Sequence, residues 1–221
     1  MSKFILYKYP IRFFKLLLGF ILLGLGLAMN YQSYLGLSPW TTFHEGISLV
    51  SGLSLGTVIQ LVGLFFIIVS ILMKQPIGFG TIANMIVVGE ILDLIIKLGI
   101  IVKPETILTR WLLLIISIFI TAYGTYLYMS SSLGAGPRDT IMVLLAKMFP
   151  KVSLGIIRNC IELTVLIIGF YLGGLVGAGT VVYALCLGPC LNFFFKLNKF
   201  EVTNRKSESI IQTFELLYKK N

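Results

Sequence analysis

The sequence predicts an all-α protein that crosses a membrane several times. Hydrophobic residues make up 57% of its 221 residues and charged residues 12%, whereas about 25% charged residues is usual in a soluble domain. The mean hydropathy is +0.95. A water-soluble fold of this size cannot bury so much apolar surface. The composition therefore excludes a cytosolic enzyme, a secreted domain and a disordered chain.

Six apolar segments have the length of transmembrane helices, since a bilayer core of about 30 Å requires about 20 helical residues. The predicted spans are residues 12–34, 54–73, 79–98, 107–130, 153–172 and 178–197. Close packing of these helices is expected at small residues, here Gly24, Gly26, Gly169, Gly173 and Gly174. Residues 1–11, 99–106 and 198–221 are left as the N-terminus, an outer loop and a tail.

The first span resembles a signal peptide, because basic residues precede its apolar run. The residues that follow the run, 30–34, make a poor cleavage site. The segment also has a counterpart later in the chain. It is therefore assigned to the fold.

Two shorter segments, 38–52 and 136–150, each follow a Gly/Pro turn and show helical apolar spacing. They are too short or too polar to span a bilayer. They are expected either to lie on the interface as amphipathic helices or to re-enter the membrane as half-helices beside a protein-buried cavity. The sequence does not decide between these alternatives.

The chain contains an internal repeat at an offset of 98 to 99 residues. LGLSP, SLG and GFGT in the first half recur as LGAGP, SLG and GAGT in the second, and the shared turn residues are Gly36, Pro39, Gly78, Gly80, Gly134, Gly136, Pro137, Gly177 and Gly179. Each repeat, 12–98 and 107–197, holds three spans and one short segment. Because three is an odd number, the second copy enters from the opposite side. Inverted repeats of this kind are found in many secondary transporters.

The GxGT motifs lack the third glycine and the strand–turn–helix context of a nucleotide-binding fingerprint. They are predicted to be tight hairpin turns in which glycine adopts a positive φ.

The distribution of basic residues predicts the orientation. With the N-terminus inside, 14 Lys and Arg residues lie in inner segments, Arg158 lies within a span, and only Lys97, Lys103 and Arg110 lie outside. Such a bias places both termini in the cytoplasm. It also accounts for the net charge of +9 without nucleic acid as a partner. The tail at 198–221 is expected to be a mobile end, with a short amphipathic helix as the alternative.

The motifs LGLSPW, SLG, GFGT, LGAGPRD and GAGT, together with the Arg158–Glu162 pair, resemble the YczE-like branch of the YczE/YyaS/YitT family of bacterial multi-pass membrane proteins. The likeness runs from about residue 12 to 197. It implies a protein of the bacterial inner membrane. It implies no particular reaction, because the family is mostly uncharacterised.

Ionisable residues within spans are costly and indicate function by default. Arg158 and Glu162 share one face of a helix, as do Glu90 and Asp93, because their spacings are four and three residues. Gln60 and Asn159 occupy equivalent repeat positions. The candidate solute-binding or coupling residues are Arg138, Asp139, Arg158, Glu162, Glu90, Asp93, Gln60 and Asn159. The alternative for this set is structural, with ion pairs and hydrogen bonds that clamp the two halves together.

No catalytic or metal-binding residues are predicted. Trp40 and His44 are expected at the membrane interface, with His44 titrating near neutral pH. Cys160, Cys186 and Cys190 are expected to pack as small apolar residues, because two thiols alone make a poor metal site. No cofactor is expected, and the motifs of nucleotide hydrolases, zinc proteases and serine hydrolases do not occur.

The predicted function is therefore a transporter or permease for a small anionic or zwitterionic solute. Arg138 and Arg158 would bind the solute, and Glu162 and Glu90 would carry protons or balance charge. The expected partners are the lipid bilayer, an unknown small solute and, given the short chain, a second copy in a homodimer. The alternative is a membrane scaffold that transports nothing. An intramembrane enzyme has the least support.

Overall fold

The computed structural model describes residues 2–134, 136–152, 154–200 and 208–210, and the regular secondary structure in these ranges is α-helical. Within these ranges, eight helices follow one another: α1 (Ser2–Gln32), α2 (Pro39–Ser51), α3 (Leu55–Leu72), α4 (Phe79–Lys97), α5 (Ile107–Ser131), α6 (Pro137–Met148), α7 (Leu154–Tyr171) and α8 (Ala178–Leu197).

The helices confirm an all-α polytopic membrane fold. In the described part of the chain, five helices are long and apolar enough to cross a membrane: Tyr9–Gln32 of α1, together with α3, α4, α5 and α8. The sixth predicted span, 153–172, coincides with α7, although residue 153 lies outside the described residues. The two short segments form α2 and α6.

Serine side chains fix the starts of α2 and α3. Ser38 accepts a hydrogen bond from the backbone N–H of Thr41, and Ser54 accepts one from that of Thr57. These bonds satisfy backbone donors that a helix start leaves unpaired. Gly52 ends α2 with φ +74°, a conformation that glycine adopts without strain. As a result, α2 turns sharply into α3.

The centre of the molecule is the contact between α1 and α5, where glycines bring the two backbones together. A methyl group at Gly19 would lie 2.7 Å from the Tyr128 nitrogen, and one at Gly124 would lie 2.9 Å from the Gly19 oxygen. Small residues permit such contacts between membrane helices. On either side, α4 packs on α1 and α8 packs on α5.

Two connections dock on helix starts in the same way. The Leu35 carbonyl accepts a hydrogen bond from the Gly179 N–H (2.7 Å), and the Leu133 carbonyl accepts one from the Gly80 N–H (2.8 Å). The following residues, Gly36 and Gly134, have φ values of +115° and +143°. The connection after α1 is thus held at the start of α8, and the connection after α5 at the start of α4.

The prediction that the GxGT motifs form positive-φ hairpin turns is wrong. Gly78 and Gly177 precede α4 and α8 with φ values of −97° and −162°, and Gly80 and Gly179 lie inside those helices. Glycine is needed there for close approach: a methyl group at Gly179 would lie 2.8 Å from the Leu35 oxygen. The positive φ belongs to the LG motifs instead.

The short helices pack across the molecule, α2 on α7 and α6 on α3. At the first of these contacts, a methyl group at Gly169 would lie 2.5 Å from the Phe43 nitrogen. Gly24, Gly26 and Gly174 also lie against neighbouring helices or loops, as expected. Gly173 differs, because its role is a turn with φ +94°.

Residues 208–210, which belong to the segment predicted as a mobile tail, contact the helical part of the protein. Glu208 donates its backbone N–H to the Ser132 carbonyl (3.0 Å), and its carboxylate pairs with Arg12 at 2.7 Å. Ile210 donates to the Ile77 carbonyl. These contacts hold residues 208–210 against α1 and against the connections that follow α3 and α5. The candidate amphipathic helix beyond Ile210 lies outside the described residues.

Candidate functional site

A cavity of about 400 Å³ lies between α2, α3, α6 and α7. Most of its walls are apolar side chains, and Arg138 is the cationic residue among them. The lining residues are Trp40, Phe66, Arg138, Ile141, Leu145, Phe149, Val152, Ile156, Ile157, Cys160, Ile161, Thr164 and Val165. Its volume falls within the range of about 300–1,000 Å³ that is usual for small-molecule sites.

Arg138 and Trp40 meet at this cavity from the first turns of α6 and α2. The guanidinium carbon of Arg138 lies 5.0 Å from the centre of the Trp40 ring, a cation–π contact. The Trp40 ring packs edge-on against Phe66, in the interior of α3, with 5.6 Å between ring centres. Trp40 is therefore a cavity residue, and its prediction as an interface residue does not describe this packing.

His44 lies one turn after Trp40 and is 3% exposed. Its ring centre lies 6.1 Å from that of Trp40, and its titration near neutral pH stays a prediction. Next to it, Glu45 accepts a hydrogen bond from the Leu175 N–H at 2.6 Å.

Arg158 and Glu162 form the predicted pair on α7, with 2.9 Å between Nε and Oε1. Their side chains are 46% and 26% exposed, and neither residue lines the cavity. Asn159 is exposed on the same helix. Because Arg158 is outside the cavity lining, the structure does not bring Arg138 and Arg158 together as walls of one site.

The candidates on α3 and α4 form a separate group. Gln60 donates through Nε2 to the Glu90 carboxylate (2.9 Å) and to the Ile86 carbonyl (3.2 Å). Asp93 accepts from the Gly56 N–H at 2.7 Å and from the Ser54 hydroxyl. Asp93 thus caps the start of α3, where negative charge also suits the helix dipole. These bonds join α3 to α4 away from the cavity lining. The side chain of Asp139 lies outside the described residues.

Of the cavity-lining residues, the sequence indicated Arg138 as a candidate for solute binding and did not indicate the others. Cys160, Ile161 and Thr164 line the cavity from α7, and apolar or small residues of this kind also occur on faces toward lipid. The sequence does relate two of these residues: Trp40 and Arg138 occupy equivalent positions of the repeat, immediately after Pro39 and Pro137.

The cysteines and acidic residues give no metal centre in the part of the chain that the structure describes. No group of three or more His, Cys, Asp or Glu residues lies close enough there to hold an ion. Cys160, Cys186 and Cys190 are free thiols.

The helices and their apolar composition define the class: a multi-pass membrane protein of the α-helical type. Within that class, residues 10–196 match the family of unknown function DUF6198, and the chain belongs to this family. The match covers the eight helices except for the ends of α1 and α8.

Three relatives extend the comparison. The chain is 34% identical to an uncharacterised protein of Haemophilus influenzae, with 82% of each chain covered. It is 29% identical to the uncharacterised membrane protein YczE of Bacillus subtilis, with 79% of this chain and 81% of YczE covered. It is 26% identical to the uncharacterised protein YyaS of the same organism, with 80% and 89% covered. No solved structure matches the chain.

Proposed function

We propose that this protein is a secondary transporter or permease for a small anionic or zwitterionic solute, and that it has no enzymatic activity. The observation that carries the proposal is the cavity where α2 and α6 begin side by side, with Arg138 at its wall. A cavity with few polar groups among apolar walls is the usual form of a small-molecule site.

The arrangement of the helices supports an inverted duplication. Both halves have a long helix, a short helix and two further helices in the same order. The Leu35–Gly179 bond matches the Leu133–Gly80 bond, and the packing of α2 on α7 matches that of α6 on α3. Transporters built in this way hold their solute where the two repeats meet, with broken or half-length helices at the site.

The orientation that fits this plan has both termini in the cytoplasm of a bacterium and the spans in its inner membrane. The excess of basic residues on the side of the termini supports it. In this orientation α2 begins beside Phe66, in the interior of α3. That contact favours a re-entrant α2 over one lying flat on the interface.

The charged residues receive distinct roles. Arg138 binds the anionic group of the solute. The Arg158–Glu162 pair lies on the helix whose adjacent face lines the cavity, so it is suited to balance charge or exchange a proton as α7 moves. Glu90, bonded to Gln60 on the other helix pair, is the second candidate for proton coupling.

The test is solute uptake by proteoliposomes. The panel comprises radiolabelled p-toluenesulfonate, glutamate, glycine and phosphate, and protein-free liposomes give the leak. We expect protein-dependent uptake of at least one anionic or zwitterionic solute. That uptake should be lost in Arg138→Gln and retained in Arg110→Gln, which removes a cation outside the cavity lining. Uptake equal to the leak for every solute would contradict transport.

A non-transporting scaffold is the second candidate, and the exposed Arg158–Glu162 pair on α7 favours it. Charged side chains on a membrane helix usually face protein or water, so a partner would be expected to cover them. The scaffold hypothesis predicts a stable partner or second copy that survives mild detergent, and stability that no solute changes. A monomer without partners in lipid nanodiscs would weaken it.

A further inference from the structure

The cavity walls specify the kind of solute more narrowly than the proposed function does. We infer that the Arg138–Trp40 cavity binds amphipathic organic anions: one carboxylate or sulfonate group on a compact apolar body. This inference rests on the proposed function, because it names the solute class of the same site. Binding and transport are measured separately, so that either can fail alone.

The charge of the ligand follows from Arg138. Its guanidinium lies over the Trp40 ring and reaches the cavity. Arginine carries five N–H donors and no acceptor, which suits it to the two oxygens of a carboxylate or sulfonate. The positive charge of Arg138 attracts an anion and repels an ammonium group, so the site favours anions over cations.

The body of the ligand follows from the other walls. Along α7, Ile157, Ile161 and Val165 line the cavity. Leu145 lines it from α6, and Phe149 lines it just after α6 ends. Transfer of apolar surface from water to such walls is favourable. A strongly hydrated ion such as phosphate gains nothing from them and loses its water. The site thus favours an anion with an apolar body over an inorganic anion.

Binding is measured first, through the fluorescence of Trp40. The chain has two tryptophans, so Trp111→Phe leaves Trp40 as the only one. The protein in lipid nanodiscs is titrated with four probes. They are p-toluenesulfonate, its neutral isostere p-toluenesulfonamide, the cation benzylamine, and methanesulfonate, which keeps the charge without the ring.

We expect p-toluenesulfonate to bind most tightly. The sulfonamide should bind about tenfold or more weakly, because it loses a charge-assisted hydrogen bond, and methanesulfonate should also bind more weakly. Arg138→Gln should abolish the preference for the sulfonate over the sulfonamide. Arg110→Gln, the control, should leave that preference unchanged. Equal binding of anion, neutral isostere and cation would overturn the inference and indicate an apolar cleft that lipid chains fill.

A second readout does not depend on the folding of Arg138→Gln. Cys160 lines the cavity, whereas Cys186 and Cys190 lie on α8. In the Cys186→Ser, Cys190→Ser variant, p-toluenesulfonate should slow the reaction of Cys160 with N-ethylmaleimide, and methanesulfonate should not. In the Cys160→Ser, Cys186→Ser variant, the reaction of Cys190 should be unaffected.

Failure of the inferred ligand class can be distinguished from failure of the proposed transport. Absence of both binding and protection by p-toluenesulfonate would overturn the inference, while uptake of another solute would still support transport. Binding and protection without uptake would support the ligand class and contradict the proposed transporter.

Discussion

The helix pairs α3–α4 and α7–α8 occupy equivalent positions in the two halves, yet they are built differently. Between α3 and α4, a methyl group at Gly89 would lie 2.7 Å from the Gly56 oxygen, so the backbones touch. At the equivalent position of α8, a methyl group at Gly188 would meet nothing within 4 Å. Among the described residues, α7 and α8 lack the extensive contact that joins α3 to α4.

The side chains explain this difference. Asp93 and Glu90 tie α4 to α3 through Gly56 and Gln60. The equivalent residues on α8 are Asn192 and Pro189, which lack a carboxylate. Hydrogen bonds therefore hold α3 against α4. By contrast, one face of α7 lines the cavity, and the adjacent face carries Arg158 and Glu162. The two halves share a sequence pattern, yet α3 and α4 pack closely whereas α7 and α8 do not.

Matched alanine substitutions at the two glycines should give the largest contrast. Gly89→Ala forces α3 and α4 apart and should cost about 1–3 kcal/mol, as overpacking usually does. Gly188→Ala meets open space and should be neutral or stabilise, because alanine favours a helix by about 1 kcal/mol over glycine. Thermal unfolding in one detergent measures both. A loss of stability in Gly188→Ala would show that this face of α8 is packed.

Substitution of Asp93 should give the next largest contrast. Asp93→Ala leaves the start of α3 without its carboxylate acceptor and should cost about 1–2 kcal/mol. Asn192→Ala at the equivalent position of α8 should change stability by less than about 0.5 kcal/mol, as an exposed substitution does. The same unfolding assay compares them. Equal effects would mean that α7 and α8 are joined as α3 and α4 are.

The two LG motifs make the same backbone hydrogen bond, one with the Gly179 N–H and the other with the Gly80 N–H. Gly179→Ala should destabilise more than Gly80→Ala, since the added methyl lies 2.8 Å from the Leu35 oxygen in one case and 3.2 Å from the Leu133 oxygen in the other. Both losses should fall within or below about 1–3 kcal/mol. If either substitution raised the unfolding temperature, the docking contact would not be a close one.

The smallest effect is expected from the charged pair on α7. Joint replacement of Arg158→Met and Glu162→Leu removes both charges, and an exposed ion pair contributes only about 0–1 kcal/mol to stability. Unfolding should change little, while the mass measured in nanodiscs stays that of the unaltered protein. A fall in stability together with a smaller mass would instead assign the pair to a subunit interface.

The sequence was sufficient for much of the fold. The long apolar runs placed the helices, and the repeated motifs related the two halves. Gly80 and Gly179 were misassigned, because a glycine required for close approach has the same sequence signature as one required for a turn. Glu208 was unpredictable, since its partner Arg12 lies at the other end of the chain. At the site, Arg138 was identified from its charge, whereas Cys160 and Thr164 resemble lipid-facing residues until the packing of α2 and α6 is known.

The proposed function requires that α7 line a water-accessible cavity that attracts anions. The most direct measurement uses Cys160 in the Cys186→Ser, Cys190→Ser variant in nanodiscs. Its rates of modification by anionic and cationic methanethiosulfonates are compared, each relative to a free thiol in solution. We predict a relative preference for the anionic reagent that disappears in Arg138→Gln. A Cys160 thiol that reacts with neither reagent, or a relative preference for the cation, would contradict the account.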